Sequence, residues 1–335
     1  MTLMRAASRQ SSAQNPPLVA MGALSAIIAL VALIAASHGH IDRTAYGDGL
    51  IYRYVAGHLT TPPSQIDPVV SSRGSSIRYG RIGFPALIWL AAAGHNSLMP
   101  WSQAVLIVLA AGAAGVATAT LFPRAGPIGG LLAFIAPGFS LSVVGGYGEV
   151  FAVALALWAV ILVQRERYWP AAGLLAMAML TRENAGAVLI GLVAWELLHR
   201  RAKGAAILLT SLIPLGAWYA FIDARFGQIP LLDLYLRRTT DTIGTPFVAV
   251  GHSLSHGASR SIATAAIHLA LALIAFWLWR KDILAIVAAA AGLQVLSSGV
   301  FAWHFIGDAM RAFTFLELFL LLTLLRYRWP EPQPG

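Results

Sequence analysis

The chain contains no cysteine. That excludes disulfides, thiolate metal sites and cysteine nucleophiles, and it leaves the redox compartment open. Charge is scarce as well: 11% of the 335 residues are Asp, Glu, Lys or Arg, against about a quarter in an ordinary soluble domain. No Walker or Rossmann glycine spacing occurs beside a strand, and the cluster Gly145-Gly146-Tyr147-Gly148 is too irregular for a nucleotide loop. His38 with His40, and His252 with His256, have no clear third ligand, so loop histidines are a simpler reading than a metal site. No cofactor is expected with certainty, and a divalent metal is not indicated.

What is present is apolar. Hydrophobic residues make up 58% of the chain, and the mean hydropathy is +0.71. Long apolar stretches recur along the whole length. This predicts one all-α, polytopic integral-membrane domain over 17–328, between an N-terminal tail at 1–16 and a C-terminal tail at 329–335. The formal charge of +9 raises nucleic acid as a partner. The basic residues sit in short clusters between apolar stretches, however, where membrane topology and phosphate contacts explain them better, so no nucleic acid is expected. Alanine richness suggests a bacterium with a GC-rich genome.

Pro17 to Ala36 supplies about twenty uncharged residues, the length an α-helix needs to cross the hydrocarbon core. This run exceeds the core of a signal peptide, so Met1 to Ser37 reads as an uncleaved first span. Ile82 to Gly94 is apolar but short, and reads as an interfacial helix anchored by Trp89. Further spans are predicted at about 101–121, 127–145, 148–164, 204–222, 262–279, 283–300 and 308–326. Between Trp169 and Leu198 lie two shorter apolar helices, broken by Thr181-Arg182-Glu183-Asn184. With Arg5 and Arg9 in the cytoplasm, ten spans put Arg124, Arg165/Arg167, Arg200/Arg201/Lys203, Arg280/Lys281 and Arg326/Arg328 there too, and both termini are cytoplasmic. The first outer loop, 37–100, then shares the extracytoplasmic face with Gly145 to Glu149, the Thr-Arg-Glu-Asn break, the second outer loop at 223–261 and the turn at 301–311.

Eleven basic residues fall on that outer face, and all are arginine: Arg43, Arg53, Arg73, Arg78, Arg81, Arg182, Arg225, Arg237, Arg238, Arg260 and Arg311. A guanidinium binds phosphate through a planar fork and keeps its charge when partly desolvated. A phosphate ligand fits this bias, as does a general arginine preference in a GC-rich genome.

Asp48 stands between Gly47 and Gly49, ahead of a segment carrying Tyr52 and Tyr54. Two readings of it stand. It is a carboxylate placed to take a proton from a hydroxyl, or it caps a helix starting near Leu50. Glu149 likewise is either a substrate contact or a negative charge at a helix N-terminus. Arg182 and Glu183 lie between apolar helices, where ionisable groups face a cavity or each other. Asp308 and Arg311, three apart, either pair or flank a site.

In this order, Asp48 before a Tyr/Ala helix, Tyr79-Gly-Arg81-Ile-Gly-Phe-Pro85 before a short apolar helix, Glu149 opening a span, and Leu180-Thr-Arg-Glu183 between short spans together resemble the GT-C superfamily of polytopic glycosyltransferases. The bacterial mannosyltransferase-like members are the most similar, over roughly residues 17 to 200. The resemblance implies a mannose, another hexose or a pentose carried on a polyprenyl phosphate and transferred with inversion to a glycan, lipid or protein acceptor outside the cytoplasmic membrane, with membrane lipids as surroundings. It further implies Asp48 as the base, Arg182, Arg81, Arg237, Arg238 and Arg311 at the donor phosphate, and Tyr52, Tyr79, Glu149, Glu183 and Asp308 at the substrate. The chain departs from the pattern in having no adjacent acidic pair: Asp42 lies six residues before Asp48. The alternative is a multi-span transporter or flippase for a lipid-linked or anionic substrate.

Overall fold

The computed structural model describes residues 18–40, 45, 47–59, 79–227, 251, 259–298 and 306–328, and among them it forms helices and no strand. Both predicted tails lie outside these residues, as do 60–78 of the first long loop and 228–250 of the second.

Helix α1 (Leu18–Ala36) is uncharged throughout and lies along α4 (Met99–Leu121). Small residues let the two approach: Ser25 of α1 sits over Gly115, and its hydroxyl donates to the Gly130 carbonyl at 2.5 Å. Between them in sequence come α2 (Asp48–Gly57) and α3 (Gly83–Ala91). The latter is a nine-residue helix where Ile82 to Gly94 predicts a short one, and Trp89 and Leu90 on it are exposed.

The run predicted as one span at 127–145 is bent. A 3-10 helix at Pro123–Ile135 and α5 (Pro137–Gly145) meet at 73°. Proline is the cause, because the residue before it is pushed out of the helical region. Ala136, just before Pro137, is extended at φ −72°, ψ 115°. The stretch predicted at 204–222 lies within one apolar helical run, Ala202–Arg225, made of α9 (Ala202–Leu209) and α10 (Leu212–Phe226) joined through Thr210 and Ser211, whose backbone stays in the right-handed helical region. Pro214 lacks an N–H and its ring crowds the carbonyl four residues back, at Thr210, which is where the two pieces join.

Helices α6 (Glu149–Gln164), α7 (Tyr168–Thr181) and α8 (Gly186–Leu198) run back and forth through the centre. Their alanine-rich faces bury Ala152, Ala156, Ala171 and Ala178 completely. The pair α7/α8 is divided as the sequence predicts: Arg182 is extended and Glu183–Ala185 form a single 3-10 turn. The remaining described helices are α11 (Ser259–Leu278), α12 (Ile283–Leu296), α13 (Ile306–Ala312) and α14 (Thr314–Arg328). Asp282 caps α12 by accepting the Ala285 N–H at 2.8 Å.

Among the described residues four stretches can cross a membrane by length and composition: Leu18–Ala36, Asn96–Leu121, Ala202–Arg225 and Ser261–Leu278. The bent pair around Ala136 makes a fifth if counted as one span, and Glu149–Gln164, Tyr168–Thr181 and Ile283–Leu296 are apolar but shorter.

The alternating direction of α6, α7 and α8 sorts their charges to two ends. Glu149 and the Arg182–Glu183 turn lie at one end. At the other, Arg201 lies 3.3 Å from Glu166, and the Tyr168 hydroxyl donates to the buried Glu196 carboxylate at 2.9 Å.

Candidate functional site

Six of the ionisable residues singled out in the sequence meet at the first of these ends. They arrive from five stretches of chain: Asp48 from α2, Arg81 from just before α3, Glu149 from α6, Arg182 and Glu183 from the turn after α7, and Arg311 from α13.

Asp48 opens α2, and the residue ahead of it, Gly47, makes no side-chain cap. The Asp48 carboxylate faces two arginines instead. Its Oδ2 lies 3.4 Å from Arg311 Nη2 and 3.8 Å from Arg81 Nη1. Gly47 has φ +53°, which favours glycine. Gly49 is needed for another reason: a Cβ there would stand 2.4 Å from the Gly145 carbonyl oxygen. The close approach that Gly49 permits is thus to the chain's own turn at Gly145–Gly146. Gln103 of α4 holds that contact. Its Nε2 donates to the carbonyls of Gly49 at 3.1 Å and Gly146 at 2.6 Å, and its Oε1 accepts from Arg53.

Arg81 is anchored by Glu183, with Nε donating to Oε2 at 2.9 Å and Nη2 to Oε1. Burial alone would raise the Glu183 carboxyl. The charges of Arg81 and Arg182 outweigh it and bring the group down to about 2. Burial works against the Arg81 charge too, and Glu183 more than reverses it, so the guanidinium stays protonated.

Below this layer Arg182 Nη2 lies 2.9 Å from Glu149 Oε1, both side chains being nearly inaccessible. Glu149 opens α6, but its partner is a guanidinium and not only the helix end. The Tyr52 hydroxyl is buried beside them with no hydrogen-bond partner, and so are Arg182 Nε and Nη1. Burial pushes the Tyr52 phenol up, and the Glu149 carboxylate adds to this. Its ring stands edge-on to Phe84 at 5.6 Å. Arg311 carries a second contact, its guanidinium lying 4.1 Å from the centre of the Tyr147 ring.

The other predicted site residues are placed elsewhere or lie beyond the description. Tyr79 packs in a small group with Ile51, Val55 and Ile222, and its hydroxyl donates to the His58 carbonyl at 2.7 Å. Arg237, Arg238 and Asp42 lie outside the described residues, as does the Asp308 side chain. Among the described residues no group of three or more His, Asp or Glu is arranged to hold a metal ion.

Three features of this end were not singled out in the sequence. Gln103 is an amide within a 23-residue apolar helix. The other two, His268 and Glu317, lie within apolar helices, where ionisable residues are costly. Glu317 Oε1 stands 3.1 Å from His268 Nε2, and Glu317 Oε2 accepts the Gly138 N–H at 3.0 Å, at the start of α5. His268 Nδ1 donates to the Thr264 carbonyl at 2.9 Å. Because a carbonyl only accepts, Nδ1 carries a hydrogen, and Nε2 is the ring nitrogen that faces the carboxylate. The pair lines a cavity of about 260 Å³ that is mostly apolar and includes Ile135, Ile267, Met310 and Leu324. The exposure of Ile135, Ile267 and Leu324 leaves its outer wall open.

No family model, no curated protein and no solved structure matches the chain.

Proposed function

We propose that the chain is an integral-membrane glycosyltransferase of GT-C type. It moves a sugar, mannose or another hexose or pentose, from a polyprenyl-phosphate donor to a glycan, lipid or protein acceptor outside the cytoplasmic membrane. The topology that goes with this reading has ten spans, both termini in the cytoplasm and the ionic cluster on the outer face.

The observation that carries the reading is the meeting of Asp48 with Arg81 and Arg311 at one end of the helices, from segments as far apart as 48 and 311. A carboxylate beside guanidinium groups supplies what transfer from a phosphate ester requires. Asp48 takes the proton of the acceptor hydroxyl, whose oxygen attacks the anomeric carbon from the face opposite the leaving group. The bond between that carbon and the phosphate oxygen breaks, and the phosphate departs with the electron pair. Arginine charge already in place stabilises the phosphate as its charge develops. The largely apolar cavity lined by Met310 has the chemistry to take hydrocarbon.

A transporter or flippase is the second reading, favoured by the 73° break at Ala136 and by the His268–Glu317 pair buried beside it. The test is transfer of radiolabelled mannose or glucose from polyprenyl-phosphate donors in membranes holding the wild-type chain or Asp48→Asn. Transfer by the wild type and its loss in the variant, at equal protein level, is expected. Transfer that persists in the variant removes Asp48 from the mechanism. No transfer from any donor by a folded wild-type chain moves the weight to transport.

A further inference from the structure

We propose that the end of α11 and α14 farthest from Asp48 is a binding site for an anionic phospholipid. Arg280, Lys281 and Arg328 hold its phosphate, and an acyl chain lies along Leu324 towards the apolar cavity. The inference needs a bilayer around the chain and nothing of the glycosyl-transfer reading.

Helix α14 carries its 15 residues about 22 Å away from the ionic cluster. Beside it α11 runs in the same direction, since His268 meets Glu317 midway along α11 and Lys281 meets the Tyr327 ring just past its end. There residues 279–282 and 326–328 supply four cations, Arg280, Lys281, Arg326 and Arg328, against one carboxylate, Asp282. Both Asp282 oxygens are engaged: Oδ1 accepts the Ala285 N–H at 2.8 Å, and Oδ2 lies 3.5 Å from Arg326 Nη1. Among the described residues no carboxylate lies within 4 Å of Arg280, Lys281 or Arg328. The C-terminal ends of α11 and α14 each add roughly half a negative charge, too little to offset three cations.

Two of these cations rest on aromatic faces. Arg280 Cζ lies 4.8 Å from the centre of the Trp279 ring, and Lys281 Nζ lies 5.3 Å from that of Tyr327. Trp277 and Tyr327 are exposed, and such rings sit at the headgroup level of a bilayer. Leu324, exposed too, precedes Tyr327 and Arg328 by three and four residues and so shares their side of the helix. It also lines the apolar cavity, with Leu271 and Leu321. Cations, interfacial rings and an open apolar track thus follow one another in the order of a phospholipid's own parts. A soluble phosphate would use only the first. A zwitterionic headgroup neutralises its own phosphate, so surplus positive charge selects a lipid with net negative charge. Arg165, Arg200 and Lys203, exposed at the same end on the segments that carry Glu166 and Glu196, supply charge without lining the cavity.

The test measures quenching of the tryptophans of the full chain, in a zwitterionic detergent, by brominated phosphatidylglycerol and by brominated phosphatidylcholine. Wild type should bind phosphatidylglycerol about tenfold or more tightly than phosphatidylcholine, and each neutralised cation should weaken that binding up to about fivefold. The triple variant Arg280→Gln, Lys281→Gln, Arg328→Gln should bind the two lipids alike. A second triple variant, Arg165→Gln, Arg200→Gln, Lys203→Gln, removes the same charge elsewhere and should keep the preference. A wild type without preference overturns the site, as does a preference that survives the first triple variant or falls equally in both. Glycerol 1-phosphate, an anion without acyl chains, should not displace the brominated lipid. Displacement equal to that by unbrominated phosphatidylglycerol makes the ligand a soluble phosphate and overturns the lipid assignment. Melting curves check each variant, and Arg328→Gln alone, with its up to fivefold loss, covers the case in which the first triple variant does not fold. Binding is read without transfer, so no outcome here bears on Asp48.

Discussion

Arg182 stands 2.9 Å from Glu149, each nearly sealed from solvent, in a stretch predicted from sequence to hold the donor phosphate. Its charge is already met by a carboxylate inside the protein. Two charges taken out of water are tolerable together and costly apart. Glu149→Gln should therefore destabilise the chain by about 3–5 kcal/mol, because it leaves the guanidinium buried without a counter-charge. The double change Glu149→Leu with Arg182→Met should recover most of that loss. Thermal melts of the solubilised chain give both values.

The Glu183–Arg81 tie sets an acid limit. The Glu183 carboxyl falls from 4.5 to about 2 in the folded chain. A carboxylate lowered on folding adds stability that is fully present above its unfolded value and lost as pH falls through the folded one. Wild type should thus lose this contribution between about pH 4.5 and 2. The melting difference between wild type and Glu183→Gln should be largest near neutrality and close towards pH 2.

Glycine substitutions should split sharply by position. A Cβ on Gly138 would come within 2.1 Å of the Met310 carbonyl oxygen, and one on Gly49 within 2.4 Å of the Gly145 oxygen. Both alanine variants should lose about 1–3 kcal/mol or more through overpacking. Gly173 in α7 and Gly216 in α10 have nothing within 4 Å of that position, so alanine there should be neutral or raise stability by up to about 1 kcal/mol. Parallel melts of the four variants separate the two classes.

Glu317 ties α14 to α5 through the Gly138 N–H and to α11 through His268. Glu317→Leu takes this acceptor from the Gly138 amide and from the imidazole Nε2 and should cost about 1–3 kcal/mol for each buried group. Glu317→Gln keeps an acceptor for one of them and should cost less. The ranking of the two in a melt checks the assignment.

Much of this end was legible from residue chemistry. Asp48, Arg81, Glu149, Arg182, Glu183 and Arg311 stand out because ionisable groups are rare in so apolar a chain, and their partners come only from the packing of helices. Spacing offers Asp308 to Arg311 as a partner or as a second residue flanking a site, and no linear reading brings in Asp48, 263 residues away, whose carboxylate also meets Arg311. Tyr79 was expected at the substrate, and its hydroxyl donates to the His58 carbonyl, a partner that spacing does not suggest. A glycine beside a carboxylate suggests room for a ligand, whereas Gly49 makes room for backbone.

The bend at Ala136 was harder to read because hydropathy does not register it. The run at 127–145 is apolar enough to pass as a single straight span, and the signal that bends it is Pro137. Gln103, His268 and Glu317 were legible in principle as polar residues inside apolar helices. What each is bonded to depends on neighbours that a linear reading does not supply.

Arg81, Arg182 and Arg311 bring three positive charges, and Asp48, Glu149 and Glu183 bring three negative ones. Taken together these six residues sum to zero, so they cast little long-range field. Capture of a charged molecule from bulk water by such a group gains little from electrostatic steering. A ligand confined to the bilayer needs none, since it searches a plane instead of a volume. The rate at which this site meets its ligand should accordingly change little with ionic strength.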